Sequence, residues 1–189
     1  MQLAPQPMNQ RPIADPEAQA QLEQLFRLHG REVWKTAVRV TGSESDAEDV
    51  VQTVFLRLLA NDHALRVRRE EAGAYLRRAA TNAALDALRR RKTRAAVALD
   101  DAPTDTLTDH APSADRLAAS APLRRALREG LARLAPRAAE AFVLRHVEGL
   151  SNAEVAAVLG TSAPVVAVTL HRARKSLQKH LSLTLGERS

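Results

Sequence analysis

Residues 46–55 read Asp46-Ala47-Glu48-Asp49-Val50-Val51-Gln52-Thr53-Val54-Phe55, and residues 75–91 read Tyr75-Leu76-Arg77-Arg78-Ala79-Ala80-Thr81-Asn82-Ala83-Ala84-Leu85-Asp86-Ala87-Leu88-Arg89-Arg90-Arg91. Both stretches repeat apolar residues at the spacing of an amphipathic α-helix. The first predicted helix is acidic and the second is basic, so we expect one surface for a protein partner and another for nucleic acid. The rest of the chain is organised around this pair.

The acidic helix has two distinct faces when its residues are placed about 100° apart. Its predicted core face comprises Ala47, Val51, Val54, Phe55 and Leu58. The opposite face carries Asp46, Asp49, Gln52, Thr53 and Leu56. Ser43 or Ser45 can cap the helix, and the acids in its first turn suit the helix dipole. One exposed leucine is common in any protein, but acids, an amide and a leucine together also suit a protein-binding surface.

The basic helix, predicted over residues 72–91, also has two faces. Its core face comprises Leu76, Ala80, Ala83 and Ala87. Another side carries a stripe of ring, guanidinium, amide and carboxylate groups: Tyr75, Arg78, Asn82, Asp86 and Arg89. Rings, guanidinium groups and amides can stack on unpaired bases and hydrogen-bond their edges. Residues 61–71, with a basic set at Arg66, Arg68 and Arg69, are predicted to form the preceding loop.

The flanking segments predict an all-α fold of two small helical domains joined by a flexible acidic linker. Residues 1–20 contain four prolines and no apolar run, which indicates a disordered lead-in and not a signal peptide. A helix with a possible break at Gly30 follows, and its apolar positions are Leu22, Leu25, Phe26, Val33, Ala37 and Val40. Residues 95–121 contain five aspartates and form the linker. The two domains are therefore residues 21–94 and residues 122–189.

The C-terminal domain has the pattern of a helix-turn-helix. Four helices are predicted, over residues 123–134, 137–147, 152–159 and 163–181. Ser151 and Glu154 have capping-box spacing, and Gly160 marks the turn between a short helix and a longer one. The core stripe of the last helix comprises Val166, Leu170, Ala173, Leu177 and Leu181. Its outer side is first apolar and then basic, which suits DNA, although a plain helical hairpin is the alternative.

Composition and charge narrow the class of function. The chain has 189 residues, a net charge of +6 and no cysteine. Residues 20–94 carry fifteen basic and ten acidic side chains, and residues 122–189 carry eleven and five, which favours a polyanionic partner. The lack of cysteine and of a membrane-spanning apolar run favours the cytoplasm. Nucleotide-binding, nucleophile and metal-ligand motifs are not found, so we expect no enzymatic activity, cofactor or metal.

These motifs, in this order, resemble the extracytoplasmic-function (ECF) class of bacterial RNA polymerase sigma factors over residues 25–181. Residues 46–55 are similar to the segment that docks on the polymerase clamp helices. Residues 75–90 are similar to the segment that melts and reads the −10 element, and residues 134–156 with 171–174 to the helix-turn-helix domain that binds the −35 element. The resemblance implies a subunit that binds core RNA polymerase and directs promoter recognition, DNA melting and transcription initiation.

The resemblance also implies three sets of contact residues. Core polymerase would contact Asp46, Glu48, Asp49, Gln52, Thr53 and Leu56. Single-stranded DNA at −10 would contact Arg66, Arg68, Tyr75, Arg78, Asn82, Asp86, Arg89 and Arg90. Double-stranded DNA at −35 would contact Ser162, Pro164, Val165, Ala167, Val168, His171, Arg172, Arg174 and Lys175. The resemblance leaves an anti-sigma factor open as a further partner.

One stretch departs from the family pattern. Residues 164–169 read Pro-Val-Val-Ala-Val-Thr, where family members usually carry polar or basic side chains. Discrimination at −35 is therefore expected to be weak or to depend on thymine methyl groups, with affinity supplied by phosphate contacts of Arg172, Arg174 and Lys175. Two other functions stay open on the sequence alone: a free-standing helix-turn-helix regulator, and an all-α adaptor that does not bind DNA.

Overall fold

The computed structural model describes residues 16–60, 69–97 and 114–186. Within these ranges the chain forms seven α-helices and no strand, which confirms the all-α fold class. The helices are α1 (Pro16–Thr41), α2 (Glu44–Leu59), α3 (Arg69–Val97), α4 (Ala114–Arg133), α5 (Pro136–His146), α6 (Asn152–Leu159) and α7 (Ala163–Gly186).

Several helices extend beyond their predicted limits. Helix α1 begins at Pro16, inside the predicted lead-in, and it continues through Gly30 without a break. Helix α3 includes residues 69–71 of the predicted loop and reaches Val97, and α4 begins at Ala114 with Pro122 inside it, so both ends of the predicted linker are helical. Tertiary packing and alanine-rich sequence outweigh single helix-breaking residues here. The remaining parts of the predicted lead-in, loop and linker, which are residues 1–15, 61–68 and 98–113, lie outside the described residues.

The main apolar core is continuous across both predicted domains. Its N-terminal part includes Val33, Val40, Val54, Leu58, Leu76, Leu85 and Leu88. The same cluster includes Leu131, Leu134, Ala139, Val143, Ala173 and Leu177 from α4, α5 and α7. A smaller cluster under the helix-turn-helix comprises Ala141, Leu144, Val155, Ala156, Leu159, Val166 and Leu170. The two regions therefore pack against each other as well as within themselves.

One predicted core residue is exposed instead. Phe26 is 53% exposed. The Phe26 ring lies at the edge of α1, where it meets the ring of Phe55 edge-on with centroids 5.0 Å apart. On α2 Val50 is buried although it was not assigned to the core face, whereas Val51, which was, is only partly buried. Helical periodicity thus located the apolar face but misplaced residues at its margin.

The turn between α1 and α2 lies against α4. Gly42 has a φ of 68° and its N–H donates to the Val38 carbonyl at 2.8 Å, which ends α1. A Cβ at this position would overlap the guanidinium group of Arg128. The left-handed backbone therefore favours glycine here, and a larger residue would displace the end of the Arg128 side chain.

Within the described ranges, no single helix is both long enough and apolar enough to cross a bilayer. The bent pair of α6 and α7 meets that criterion of length and composition only when the two are taken together.

Candidate polymerase-binding and DNA-binding surfaces

The outer face of α2 carries the six residues predicted to contact polymerase. Ser43 is the N-cap, and its Oγ accepts a hydrogen bond from the Asp46 N–H at 3.2 Å. The cap fixes the start of the helix and hence the direction of its faces. Glu48, Asp49, Gln52 and Leu56 are exposed, and Asp46 and Thr53 are partly exposed.

An apolar groove runs beside this face, between α1 and α2. Leu56, which is 64% exposed, stands at its margin with Glu48 and Gln52. The α1 side of the groove includes Phe26 and Trp34. The sequence-based prediction missed this contribution because Phe26 fits the apolar period of α1 and was therefore assigned to the core.

The stripe on α3 meets the C-terminal region at Glu140. Arg78 Nε donates to Glu140 Oε1 at 2.8 Å, and Asn82 Nδ2 donates to the same oxygen at 3.0 Å. Glu140 belongs to α5 and is only 5% exposed. Two of the residues predicted to contact −10 DNA are therefore occupied by a carboxylate of the same chain.

A second carboxylate, Glu148, lies just beyond α5 and contacts α1 and α3. Thr36 Oγ1 donates to Glu148 Oε1 at 3.0 Å. Arg39 Nη1 lies 3.8 Å from Oε1, and Arg77 Nε lies 3.8 Å from Oε2. The Glu148 side chain is 9% exposed. Neither glutamate was given a role from the sequence, although a carboxylate flanked by Ala139 and Ala141, both of which are buried, was a usable signal.

The other residues of the stripe remain accessible to different degrees. Tyr75 is 38% exposed and Arg90 is exposed. Arg89 Nη1 forms an ion pair with Asp86 Oδ1 at 2.9 Å within α3. Arg66 and Arg68, which were also predicted to contact −10 DNA, lie outside the described residues.

The capping box and turn predicted for the helix-turn-helix are present. The Ser151 N–H donates to Glu154 Oε2 at 2.8 Å, and the Glu154 N–H donates to Ser151 Oγ at 3.2 Å. These hydrogen bonds lower the pKa of the Glu154 carboxyl below its usual 4.5. Gly160 has φ 61° and ψ 50°, and α7 then leaves at 101° to α6. This angle is typical of helix-turn-helix domains.

The nine residues predicted to contact −35 DNA are all exposed; eight lie on α7 and Ser162 directly precedes it. Val165 and Val168 are about half exposed, so the first turns of the helix present an apolar surface. Arg174 Nη2 lies 3.4 Å from His146 Nε2. Burial, followed by the charges of Arg174 and Arg145, lowers the pKa of His146 below 6.5.

Comparison with known proteins identifies both regions. The family model described as Sigma-70 region 2 matches residues 25–94, and the model described as Sigma-70, region 4 matches residues 124–177. The RNA polymerase sigma-E factor of Streptomyces avermitilis is 34% identical over 161 residues, which cover 85% of each chain. The chain belongs to the ECF sigma factors. The sigma factor function predicted from the sequence is confirmed, and the free-standing regulator and the adaptor are not favoured.

Other relatives agree with this sigma factor assignment. The ECF RNA polymerase sigma factor SigE of Mycolicibacterium smegmatis is 31% identical over 89% of this chain, which spans 64% of that protein's length. CnrH, whose structure was determined in complex with the cytosolic domain of CnrY, is 26% identical in sequence to this chain. The two structures superpose with a TM-score of 0.51 over 90% of this chain and 99% of that one. RpoE of Bartonella quintana, solved with the anti-sigma factor NepR, shows the same fold. Its TM-score is 0.52 at 20% sequence identity, over 85% of this chain and 96% of that one. Proteins of this family are regulatory subunits.

Proposed function

We propose that this sigma factor binds core RNA polymerase through the outer face of α2. The observation that carries the proposal is the exposure of Leu56, which is 64% accessible and lines the apolar groove together with Glu48 and Gln52. A leucine that is this exposed contributes little to the protein's own core. Contact with a partner would bury its apolar area, and the surrounding acids would set orientation and association rate.

The −10 element is the proposed ligand of the α3 stripe. Tyr75 offers a partly exposed ring, and Arg78, Asn82, Asp86, Arg89 and Arg90 extend the surface along one side of the helix. Stacking of an unpaired base on an aromatic ring contributes about 1–3 kcal/mol. This gain would offset the few kcal/mol that unstacking a base costs.

The −35 element is the proposed ligand of the outer face of α7. The exposed Val165, Ala167 and Val168 would contact thymine methyl groups, and the basic residues that follow would contact phosphates.

The proposed DNA-binding domains are residues 21–94 and 122–189. The factor is proposed to act in the cytoplasm without catalysing a reaction. An anti-sigma factor is a proposed regulator, because the two solved structures described above each contain a partner protein.

Transcription with purified core polymerase tests the proposal. Leu56→Asp should weaken core binding and lower promoter-dependent transcription by at least about tenfold, since hot-spot truncations cost 2 kcal/mol or more. The matched control is Leu183→Asp, which makes the same change at another exposed leucine, 56% accessible on α7. Equal core binding by Leu56→Asp and Leu183→Asp would overturn the assignment of the α2 face.

A further inference from the structure

The first two turns of α7 present an apolar surface to solvent. Pro164, Val165, Ala167 and Val168 are all exposed, and the two valines are 52% and 51% accessible. None of these four side chains has a hydrogen-bonding group. Valine is a weaker helix former than alanine, lysine or arginine. Neither the helix nor the protein's own core therefore accounts for two half-exposed valines, and their methyl groups are available to a ligand.

The hydroxyl groups at the two ends of this stretch add little power to distinguish bases. Thr169 Oγ1 donates to the Val165 carbonyl at 2.8 Å, so its proton is used within the helix. Ser162 is exposed and directly precedes α7, but a serine hydroxyl can hydrogen-bond to donors and acceptors alike and discriminates poorly between bases. Discrimination by the start of α7 must therefore come mainly from apolar contact.

The exposed valines share one side of α7 with basic residues. At about 100° per residue, one stripe of the helix contains Val165, Val168, Arg172 and Lys175, all of which are exposed. Val166 points the other way, into the small core under the helix-turn-helix. Cations beside methyl groups suit the phosphates and the groove of duplex DNA, which favours DNA over an apolar protein partner as the ligand of this stripe.

The major groove offers a methyl group at one kind of position. Thymine carries it on C5, where cytosine has only a hydrogen, and the other groups on the base edges are hydrogen-bond donors and acceptors. Methylation of cytosine at C5 places the same methyl group at the same position. A surface that reads by apolar contact detects this methyl group, whichever pyrimidine bears it.

We propose that Val165 and Val168 recognise C5-methylated pyrimidines in the −35 element, so that 5-methylcytosine substitutes for thymine. The proposal rests on the proposed −35 function of α7 and makes promoter binding responsive to cytosine methylation. The two valines are about 4.5 Å apart along the helix axis, which is comparable with the roughly 3.4 Å between base pairs. They can therefore contact two neighbouring pyrimidines.

Base analogues test the proposal with the assembled holoenzyme, which first selects its preferred duplex from a pool randomised over the −35 element. Uracil in place of thymine in that element removes only the methyl group, and should lower the affinity about fourfold at each contacted position. Cytosine paired with guanine should lower it similarly, and 5-methylcytosine should restore most of the loss. The DNA control places uracil in the spacer between the two promoter elements, where it should have no effect.

Two results of this experiment would overturn the methyl readout. One is equal affinity for the thymine and uracil duplexes. The other is a selected −35 sequence that contains no A·T pair, because such a sequence offers no methyl group.

A pair of alanine substitutions tests whether the two valines are responsible. Val165→Ala with Val168→Ala changes exposed positions to a better helix former, so the fold is retained. The ratio of thymine to uracil affinities should fall towards one. The control is Leu183→Ala, which truncates another exposed apolar side chain of α7 and should keep the parent's ratio. If the double valine variant also keeps the ratio, the methyl groups are read elsewhere and the assignment fails.

Failure of the methyl readout and failure of the proposed function are distinguishable. If the holoenzyme shows no preference among the randomised −35 duplexes, the proposed −35 function of α7 is wrong. If it selects a −35 sequence but binds the thymine and uracil forms equally, only the methyl readout is wrong.

Discussion

Asp46 Oδ2 lies 3.9 Å from Arg91 Nη1, so the first turn of α2 is paired with the basic C-terminal part of α3. The two side chains are 34% and 35% exposed, and water and salt therefore screen the attraction. One acid of the proposed polymerase surface thus also contributes to the packing of two helices, whereas its exposed neighbour Asp49 faces outward.

Asp46→Asn and Asp49→Asn should therefore differ in stability but not in their effect on polymerase binding. Asp46→Asn should lower the free energy of unfolding by at most about 1 kcal/mol, and Asp49→Asn should leave it within about 0.5 kcal/mol. Both should slow association with core polymerase, most clearly at low salt. Urea unfolding and stopped-flow binding measure the two effects. Equal stability of both variants would show that the Asp46–Arg91 pair contributes nothing.

Arg172→Ala should reduce the salt dependence of binding to duplex −35 DNA. Arg172 is exposed on α7 after the apolar turns. Loss of one phosphate contact should lower the slope of log K against log salt by about one unit. The control is Arg125→Ala, which removes an exposed arginine of α4 that pairs with Glu129. An unchanged slope for Arg172→Ala would argue against the phosphate contact.

Gly42→Ala should destabilise the protein more than Gly149→Ala. Both glycines have positive φ, 68° and 75°, and a left-handed alanine costs about 1–2 kcal/mol. A Cβ at Gly149 meets no atom within 4 Å, whereas a Cβ at Gly42 overlaps the Arg128 guanidinium. Urea unfolding should show the added cost of the α1–α4 contact. Equal costs would mean that Arg128 moves aside freely.

The stability of the protein should fall as His146 is protonated. Because the pKa of His146 in the folded protein is lowered from 6.5, the folded state binds this proton less readily than the unfolded state. The contribution of neutral His146 to the stability of the fold is therefore complete above pH 6.5, and it is lost as the pH falls through the pKa of the folded state. His146→Gln should flatten this part of the stability profile. Arg174→Gln should raise the pKa of the ring in an NMR titration, and a His146 pKa of 6.5 or above in the parent protein would contradict the prediction.

Local sequence signals predicted local structure well. The period of α2 placed Val54 and Leu58 inside and Leu56 outside, because successive side chains project from a helix at a fixed angle. Ser151 and Glu154 form the predicted capping box because both partners lie within one turn. Gly30 was misread as a break, since a single glycine costs only about 1 kcal/mol and packing of α1 offsets it.

Contacts between distant parts of the chain were not predictable in the same way. Arg78 and Asn82 were correctly placed on one side of α3, but nothing within that helix indicates that Glu140 would meet them. Periodicity assigns a face to each residue and does not identify the element that covers it. The residue-level roles of the polymerase and DNA surfaces remain predictions for the experiments above.

The groove between α1 and α2 has a consequence for the behaviour of the free protein in the cell. Phe26 and Leu56 are both more than half exposed, and contiguous apolar surface of this kind promotes self-association. We therefore expect the solubility of the purified factor to be limited by this groove and to improve when a partner covers it. A sigma factor with such a surface is best kept scarce, or in complex, until polymerase becomes available.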